Sequence, residues 1–330
     1  MTELAGFARI GLAHLPTPLE ALPNLSRHLG GPAIYIKRDD CTGLGGGGNK
    51  VRKLEFLLGD AIESGADRVL TFGALQSNHV RQTAAACARL QMACEAILID
   101  QTGYDGPSYR HSGNLLLDEL FGARVHCAEN ESTAAHIAEK LIDDYGDSLY
   151  VIPAGGSNAV GALGYVNCAA ELKAQFKEMA LDVRAIVHAS SSAGTQAGLI
   201  AGVGKGLDVL GINVYERNFD DMSAKVASLV GDVMTLLGLP KVEPEINMIN
   251  DYLGAGYGLP TREMKEAVEL AARLEGIILD PVYSGKAMAG LIGLIRSGYF
   301  GSDESVVFLH TGGSPALFAY PEVFVNGETS

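Results

Sequence analysis

The sequence predicts an α/β protein built on mostly parallel sheets with helices on both faces. Three observations predict it. Short β-branched runs alternate with long helical patterns along all 330 residues. Polar or glycine-rich segments stand where strand runs end and helical patterns begin. No 20–50-residue repeat and no Pro/Ser/Gly linker divides the chain.

In chain order, the first strand run is Ile34–Lys37, followed by a helical pattern over Val51–Ser64. Val69–Phe72 leads into Asn78–Leu90, and Ala96–Ile99 into Asn114–Phe121 and Thr133–Tyr145. Leu149–Ile152 precedes the long helix Ala159–Met179, and Ala185–His188 precedes Gln196–Gly206. Val209–Val214 is followed by Met222–Leu237, Thr261–Glu275 and Lys286–Ser297, and Val306–His310 closes the series. Continuous apolar strand runs suit strands buried on both faces, as βαβ crossovers require.

Composition excludes several classes. The chain is 47% apolar and 19% charged, which argues against wholesale disorder. Its formal net charge is −14, and no Lys/Arg-rich run offers a nucleic-acid footprint. The opening MTELAGFARIGLAHLPTPLE lacks a basic n-region and an apolar h-region, so no secretory signal is expected there. The longest apolar runs fall short of a membrane span. Cysteines 41, 87, 94, 127 and 168 are odd in number and form no CxxC, which fits a reducing cytoplasm. The scattered histidines show no HExxH, so no metal is expected. Glycine is in excess: 41 of 330 residues, against an ordinary share of about 7%.

Much of that glycine lies in clusters that carry chemistry. Gly43–Gly48 precedes Asn49, Lys50 and a helix. It is not a P-loop, because Asn49 stands where that motif needs Lys and Val51 where it needs Ser or Thr. Lys50 at a helix N-terminus would have its ammonium pKa lowered by the dipole and by desolvation, which suits a nucleophilic amine. A solvated lysine on a flexible loop reads the same glycines equally well. Gln76, Ser77, Asn78 and His79 follow a strand run, where Ser77 or Asn78 can cap the next helix and free N–H groups can take a carboxylate. Ser190–Gly194 with Thr195 repeats the strand–loop–helix pattern with small side chains and hydroxyls, a natural phosphate seat or a Ser-rich cap. Near the C-terminus stand the glycine-framed Tyr257, the turn Leu279–Lys286 with Tyr283, and His310–Ala316 with Thr311, each of which also reads as an ordinary turn.

Together these segments resemble the pyridoxal-phosphate enzymes of the tryptophan-synthase-β fold, fold type II. Within them the chain is similar to the group of D-cysteine desulfhydrase, L-cysteate sulfo-lyase and 1-aminocyclopropane-1-carboxylate deaminase. The resemblance runs from Leu15-Pro16-Thr17-Pro18-Leu19 to Pro315-Ala316-Leu317-Phe318 and is most specific at four places. These are Gly47-Gly48-Asn49-Lys50 with Arg52-Lys53-Leu54-Glu55, Gln76–Gln82, Asp280–Lys286 and His310–Gly313. It implies pyridoxal 5'-phosphate as cofactor, linked to Lys50. Asn78 would meet the cofactor's phenolic oxygen and Thr311 the pyridine nitrogen. Ser191, Ser192, Ala193, Gly194 and Thr195 would hold the phosphate. Ser77, with Gln76 and His79, would meet the substrate carboxylate or serve as a second acid/base. Tyr257 and Tyr283 would line the substrate side and take part in catalysis. Two domains follow, a small one over about 51–160 and a large one over 1–50 and 161–330, in a homodimer.

The expected reaction is α,β-elimination with deamination of a small β-substituted amino acid, a carbon–sulfur lyase activity. The cyclopropane deaminases carry Glu directly after the tyrosine of Pro-Val-Tyr, where this chain has Ser284, which argues against ring opening. Arg38–Leu44 looks more like the cysteate branch, so L-cysteate to pyruvate, sulfite and ammonia is the first expectation and D-cysteine desulfhydration the alternative. A sulfonate would need local donors, for which His79, Arg81 and Arg217 are the candidates. Racemization by Lys50 and Ser77 from opposite faces is a further reading on the same cofactor.

Overall fold

The computed structural model describes residues 4–240 and 243–325. Its strands, in chain order, are β1 (Leu19–Ala21), β2 (Ala33–Arg38), β3 (Arg68–Ala74), β4 (Ala93–Ile99), β5 (Arg124–Ala128), β6 (Leu149–Ile152), β7 (Ala185–Ser190), β8 (Asp208–Asn213), β9 (Asn247–Ile249) and β10 (Ser305–His310). They form two sheets, one of six strands in the order β1-β2-β10-β7-β8-β9 and one of four in the order β5-β4-β3-β6. Every pairing is parallel except β1 with β2.

The helices are α1 (Pro23–Leu29), α2 (Lys50–Glu63), α3 (Asn78–Leu90), α4 (Gly113–Leu120), α5 (Glu131–Tyr145), α6 (Ala159–Glu178), α7 (Gly194–Val203), α8 (Phe219–Leu236), α9 (Arg262–Glu275), α10 (Ser284–Arg296) and the short α11 (Ser314–Leu317) and α12 (Pro321–Phe324). Side-chain alternation along the strands explains why both faces of the six-stranded sheet are covered. Val306 and Phe308 of β10 face a core with Met264, Val268, Met288 and Leu291 of α9 and α10. Val307 and Leu309 face the opposite core, with Tyr165, Leu172, Leu199 and Val203 of α6 and α7. In the smaller sheet, Val69 packs with Val51, Leu54 and Leu58 of α2, while Leu70 packs with Ala134, Ala138 and Leu141 of α5.

A buried ionic cluster fixes the start of α2. Arg52 donates to both Asp39 oxygens at 2.8 Å, and Tyr165 donates to Asp39 Oδ2 at 2.6 Å. Glu171 takes a further Arg52 hydrogen bond at 3.0 Å and pairs with Lys37. Two turns of the same helix are held at Glu55, which accepts the Leu12 and Ala13 N–H groups at 2.9 Å. No helix of the described residues is long and apolar enough to cross a membrane. All five cysteines are free.

Candidate active site

The carboxyl ends of β3, β7 and β10 and the start of α2 converge on a cavity of about 360 Å³. Its wall includes Asn49, Lys50, Ser77, Asn78, His79, Ser191, Ser192, Ala193, Thr195, Tyr257, Tyr283 and Thr311. Of the residues expected to bind cofactor or substrate, Gln76 and Gly194 are not on that wall. Gln76 is buried behind it, its Nε2 donating to the carbonyls of Tyr109 (2.6 Å) and Ser112 (2.9 Å) and its Oε1 accepting from Asn114 N (2.8 Å). Gly194 opens α7 just beneath it.

Lys50 is the first residue of α2, and its Nζ donates to Asn49 Oδ1 at 3.0 Å. Asn49 in turn donates from Nδ2 to Thr195 Oγ1 at 3.1 Å, tying the start of α2 to that of α7. Desolvation, reinforced by the Arg81 cation and opposed by Asp280, lowers the Lys50 pKa to about 8. A substantial fraction of the amine is therefore neutral near physiological pH. The glycines before it are sterically required. A Cβ on Gly312 would lie 2.6 Å from Gly48 Cα, so only two glycines let these loops touch.

Ser77 is the N-cap of α3, its Oγ accepting from Val80 N at 3.3 Å. Asn78 Oδ1 accepts from Asn114 Nδ2 at 2.8 Å, which leaves the Asn78 amide nitrogen as the donor for the cavity. The His79 Nε2 lies 2.8 Å from Thr71 Oγ1, and that hydroxyl donates to the Ile152 carbonyl at 3.1 Å. His79 Nε2 therefore carries the proton and Nδ1 is a buried acceptor with no partner among the described residues. Burial, with Lys50 and Lys53 nearby, holds the His79 pKa well below its ordinary value, so the ring is neutral.

The segment Ser190–Thr195 ends β7 and opens α7. Ala193 sits at φ +69°, a left-handed conformation that costs a non-glycine residue about 1 kcal/mol or more and is often found where backbone N–H groups are aimed at a ligand. Two residues that sequence reading did not single out complete this corner. Ser157 Oγ lies 2.8 Å from Ser192 Oγ, and Lys53 Nζ donates to Ser157 Oγ (3.1 Å) and the Gly155 carbonyl (3.0 Å). A Cβ on Gly194 would stand 2.6 Å from Ser157 Oγ and 2.9 Å from Lys53 Nζ, so glycine keeps this approach open. Lys53 has only neutral partners in these contacts and is 1% exposed. Burial, reinforced by Lys50, lowers the Lys53 pKa well below its ordinary value, and an anion such as a phosphate monoester beside these hydroxyls and helix N-terminus would favour its charged form.

None of the three candidate sulfonate ligands presents a cation on the cavity wall. His79 is neutral. Arg81 is buried and absent from the cavity wall; its Nη1 donates to the carbonyls of Gly45 and, at 3.0 Å, Gly47, clamping the glycine loop, while its Nε and Nη2 have no partner among the described residues. Arg217 is exposed and donates to the Ala255 carbonyl. Ser284 is fully buried and bound to Asp280, away from the cavity wall.

The family model for pyridoxal-phosphate dependent enzymes matches residues 10–312. The chain belongs to that family. It is 47% identical over 326 residues to a D-cysteine desulfhydrase of Klebsiella pneumoniae (strain 342), covering 97% of this chain and 98% of that protein. Among solved structures it is similar to an ACC deaminase homologue, with a TM-score of 0.85, 39% identity and coverage of 97% and 96% of the two chains. The processed form of threonine deaminase isoform 2 from Solanum lycopersicum shares the fold at a TM-score of 0.68 and 18% identity, covering 95% of this chain and 88% of that one. The fold type II architecture and the pyridoxal-phosphate cofactor expected from the sequence both stand. Of the two sulfur-lyase readings, the curated relative carries the name of the alternative, not of the cysteate reading placed first.

Proposed function

We propose that this enzyme is a carbon–sulfur lyase that converts D-cysteine and water to pyruvate, hydrogen sulfide and ammonia. The observation that carries the reading over L-cysteate is that Arg81 and Arg217 lie off the cavity wall and that burial keeps His79 neutral. None of them offers the cavity a free cation for a sulfonate. The 47% identical desulfhydrase supports the same choice.

Pyridoxal phosphate, when bound, supplies an electron sink for the charge that develops at the substrate Cα. The chain's own residues do the rest. Lys50 would link the cofactor and, when its amine is free, would hold or move the substrate Cα proton at Nζ. Asn78, with its Oδ1 taken by Asn114, would offer Nδ2 to the cofactor's phenolic oxygen. Thr311, on the cavity wall, would offer the ring nitrogen a neutral hydroxyl in place of a carboxylate that fixes a proton. Ser191, Ser192, Ala193, Gly194 and Thr195 would hold the phosphate with Ser157, and Lys53, protonated in the presence of that anion, would balance its charge. Ser77 meets the substrate carboxylate at the N-terminus of α3, and Tyr257 and Tyr283 close the substrate side. His79, locked as a neutral ring, orients this wall and carries no charge to it. Gln76 acts one layer back, through Asn114, on Asn78.

Strands β3 to β6 all fall within residues 51–160 and the six-stranded sheet outside them, which supports a small domain there and a large one from 1–50 and 161–330. A homodimer in the cytoplasm completes the proposal; sedimentation equilibrium tests the first, and the free cysteines favour the second. The deciding experiment offers D-cysteine, L-cysteine, L-cysteate and 1-aminocyclopropane-1-carboxylate side by side and measures pyruvate, sulfide, sulfite and 2-oxobutyrate. Sulfide and pyruvate from D-cysteine at a kcat/KM at least tenfold above the others is the expected result. Sulfite release from L-cysteate as the preferred reaction would overturn it.

A further inference from the structure

Lys286 is fully buried on α10 and faces no carboxylate at hydrogen-bond distance among the described residues. Its Nζ donates to two backbone carbonyls, those of Leu253 at 2.7 Å and Gly256 at 2.9 Å. Both belong to the glycine-framed loop that leads directly into Tyr257. Tyr283 is the N-cap of the same α10 on which Lys286 lies one turn later. The hydroxyls of Tyr257 and Tyr283 hydrogen-bond each other on the cavity wall. One rigid helix thus carries Tyr283 at its tip and, through Lys286, holds the loop that presents Tyr257 to it.

The loop needs such a hold. Gly254, Gly256 and Gly258 all lie in positive-φ conformations, and the segment has no regular structure between β9 and α9. Glycine loops of this kind have many competing backbone states. A buried ammonium with two carbonyl acceptors is a costly arrangement, kept where it fixes a conformation. Desolvation, opposed by the Asp280 charge, lowers the Lys286 pKa to about 8, in keeping with that cost.

We propose that Lys286 is a positioning residue that pins the 253–256 loop to α10 and so sets Tyr257 against Tyr283 on the substrate side of the site. This rests on the reading that Tyr257 serves the lyase reaction. The test is a double-mutant cycle with Lys286→Met, Tyr257→Phe and the pair, together with Lys286→Gln, which keeps two N–H donors without charge.

Lys286→Met is expected to lower kcat/KM for D-cysteine at least tenfold, mainly in kcat. In the Tyr257→Phe background the same change is expected to cost less than threefold, and Lys286→Gln is expected to recover part of the single-variant loss. Losses that multiply independently would overturn the proposal, because Lys286 would then not act through Tyr257. If Lys286→Met does not fold, the cycle is run with Lys286→Gln. If another of the four substrates is the one consumed, the cycle is read on that substrate. Amide hydrogen exchange over residues 253–258 gives a readout free of any substrate. Faster exchange in Lys286→Met than in the parent protein is expected, with α9 and α10 unchanged. Unaltered exchange would overturn the proposal even where no substrate is turned over, an outcome that by itself would sink only the lyase reading.

Discussion

Ser284 donates from Oγ to Asp280 Oδ2 at 2.6 Å, and its own N–H reaches the same oxygen at 2.9 Å. The position that is Glu in the cyclopropane deaminases is therefore used here to satisfy a buried carboxylate. The N–H groups of Val282 and Tyr283 complete the set on Oδ1, at 2.8 and 2.7 Å. Burial raises the Asp280 pKa, and these four donors oppose the rise. Ser284→Glu would set a second carboxylate beside it with no cation in contact. A buried uncompensated charge costs about 3–5 kcal/mol, so the variant is expected to melt well below the parent. It is also expected to yield no 2-oxobutyrate from 1-aminocyclopropane-1-carboxylate. Thermal melting and product assay check both statements, and ring opening by a stably folded variant would contradict them.

Lys53 and Ser157 together predict how tightly the cofactor is held. Lys53→Met removes the amine that donates to Ser157 and Gly155, and that a bound phosphate would hold in its charged form, and leaves the apolar stem in place. Hydrogen bonds involving a charged group contribute about 1.5–3 kcal/mol, so cofactor affinity is expected to fall roughly 10- to 100-fold. Equilibrium dialysis of pyridoxal phosphate against the variant measures it directly. The same variant is expected to bind pyridoxal without its phosphate as well as the parent does.

Lys50 gives a pH prediction. Its ammonium is disfavoured by desolvation and by Arg81, which brings its pKa down to about 8. Only the neutral amine attacks a carbonyl, so the rate of cofactor capture by the cofactor-free protein is expected to rise with pH and to level off above about 8. Stopped-flow absorbance between pH 6 and 10 tests this. Arg81→Gln removes the neighbouring cation, so its curve is expected to shift to higher pH; an unmoved curve would leave desolvation as the whole cause.

The fold was legible where it depends on local pattern, and the site where it depends on residue type at a strand end. The sequence reading of Asn78–Leu90 as a helix and Leu149–Ile152 as a strand matches α3 and β6, because a cap and a β-branched run mark both. The three-residue β1 and β9 and the edge strand β5 were not read, since each is short and half-exposed, with no clean apolar alternation. The short α1 was also missed, although Pro23 at its start and Gly30 at its end were the available signals. Lys50 and Lys53 lie one turn apart on α2, a spacing that could have flagged Lys53. Nothing local could have flagged Ser157 or Asn114, whose partners lie 35 or more residues away. Arg81 and Arg217 were legible only as charges, because their backbone acceptors exist only in the folded chain.

Asp39 carries the last prediction. It is fully buried with Arg52, Thr17 and Tyr165 as donors, beneath the turn that starts with Lys50. Burial pushes its pKa up, but Arg52 and the hydrogen bonds outweigh that and hold it below the ordinary carboxylate value. A carboxyl with a depressed folded pKa contributes stability that is present above its unfolded pKa, near 4, and is lost as pH falls through the folded value. Asp39→Asn leaves the Arg52 guanidinium buried with only the Glu171 carboxylate, which is expected to cost about 3–5 kcal/mol. Urea unfolding at pH 7 should show that loss. At pH 3 the difference between variant and parent should shrink, because the parent's own carboxyl is then closer to protonation. A difference that stays constant across that range would mean Asp39 stabilises the site by packing and not by its charge on Arg52.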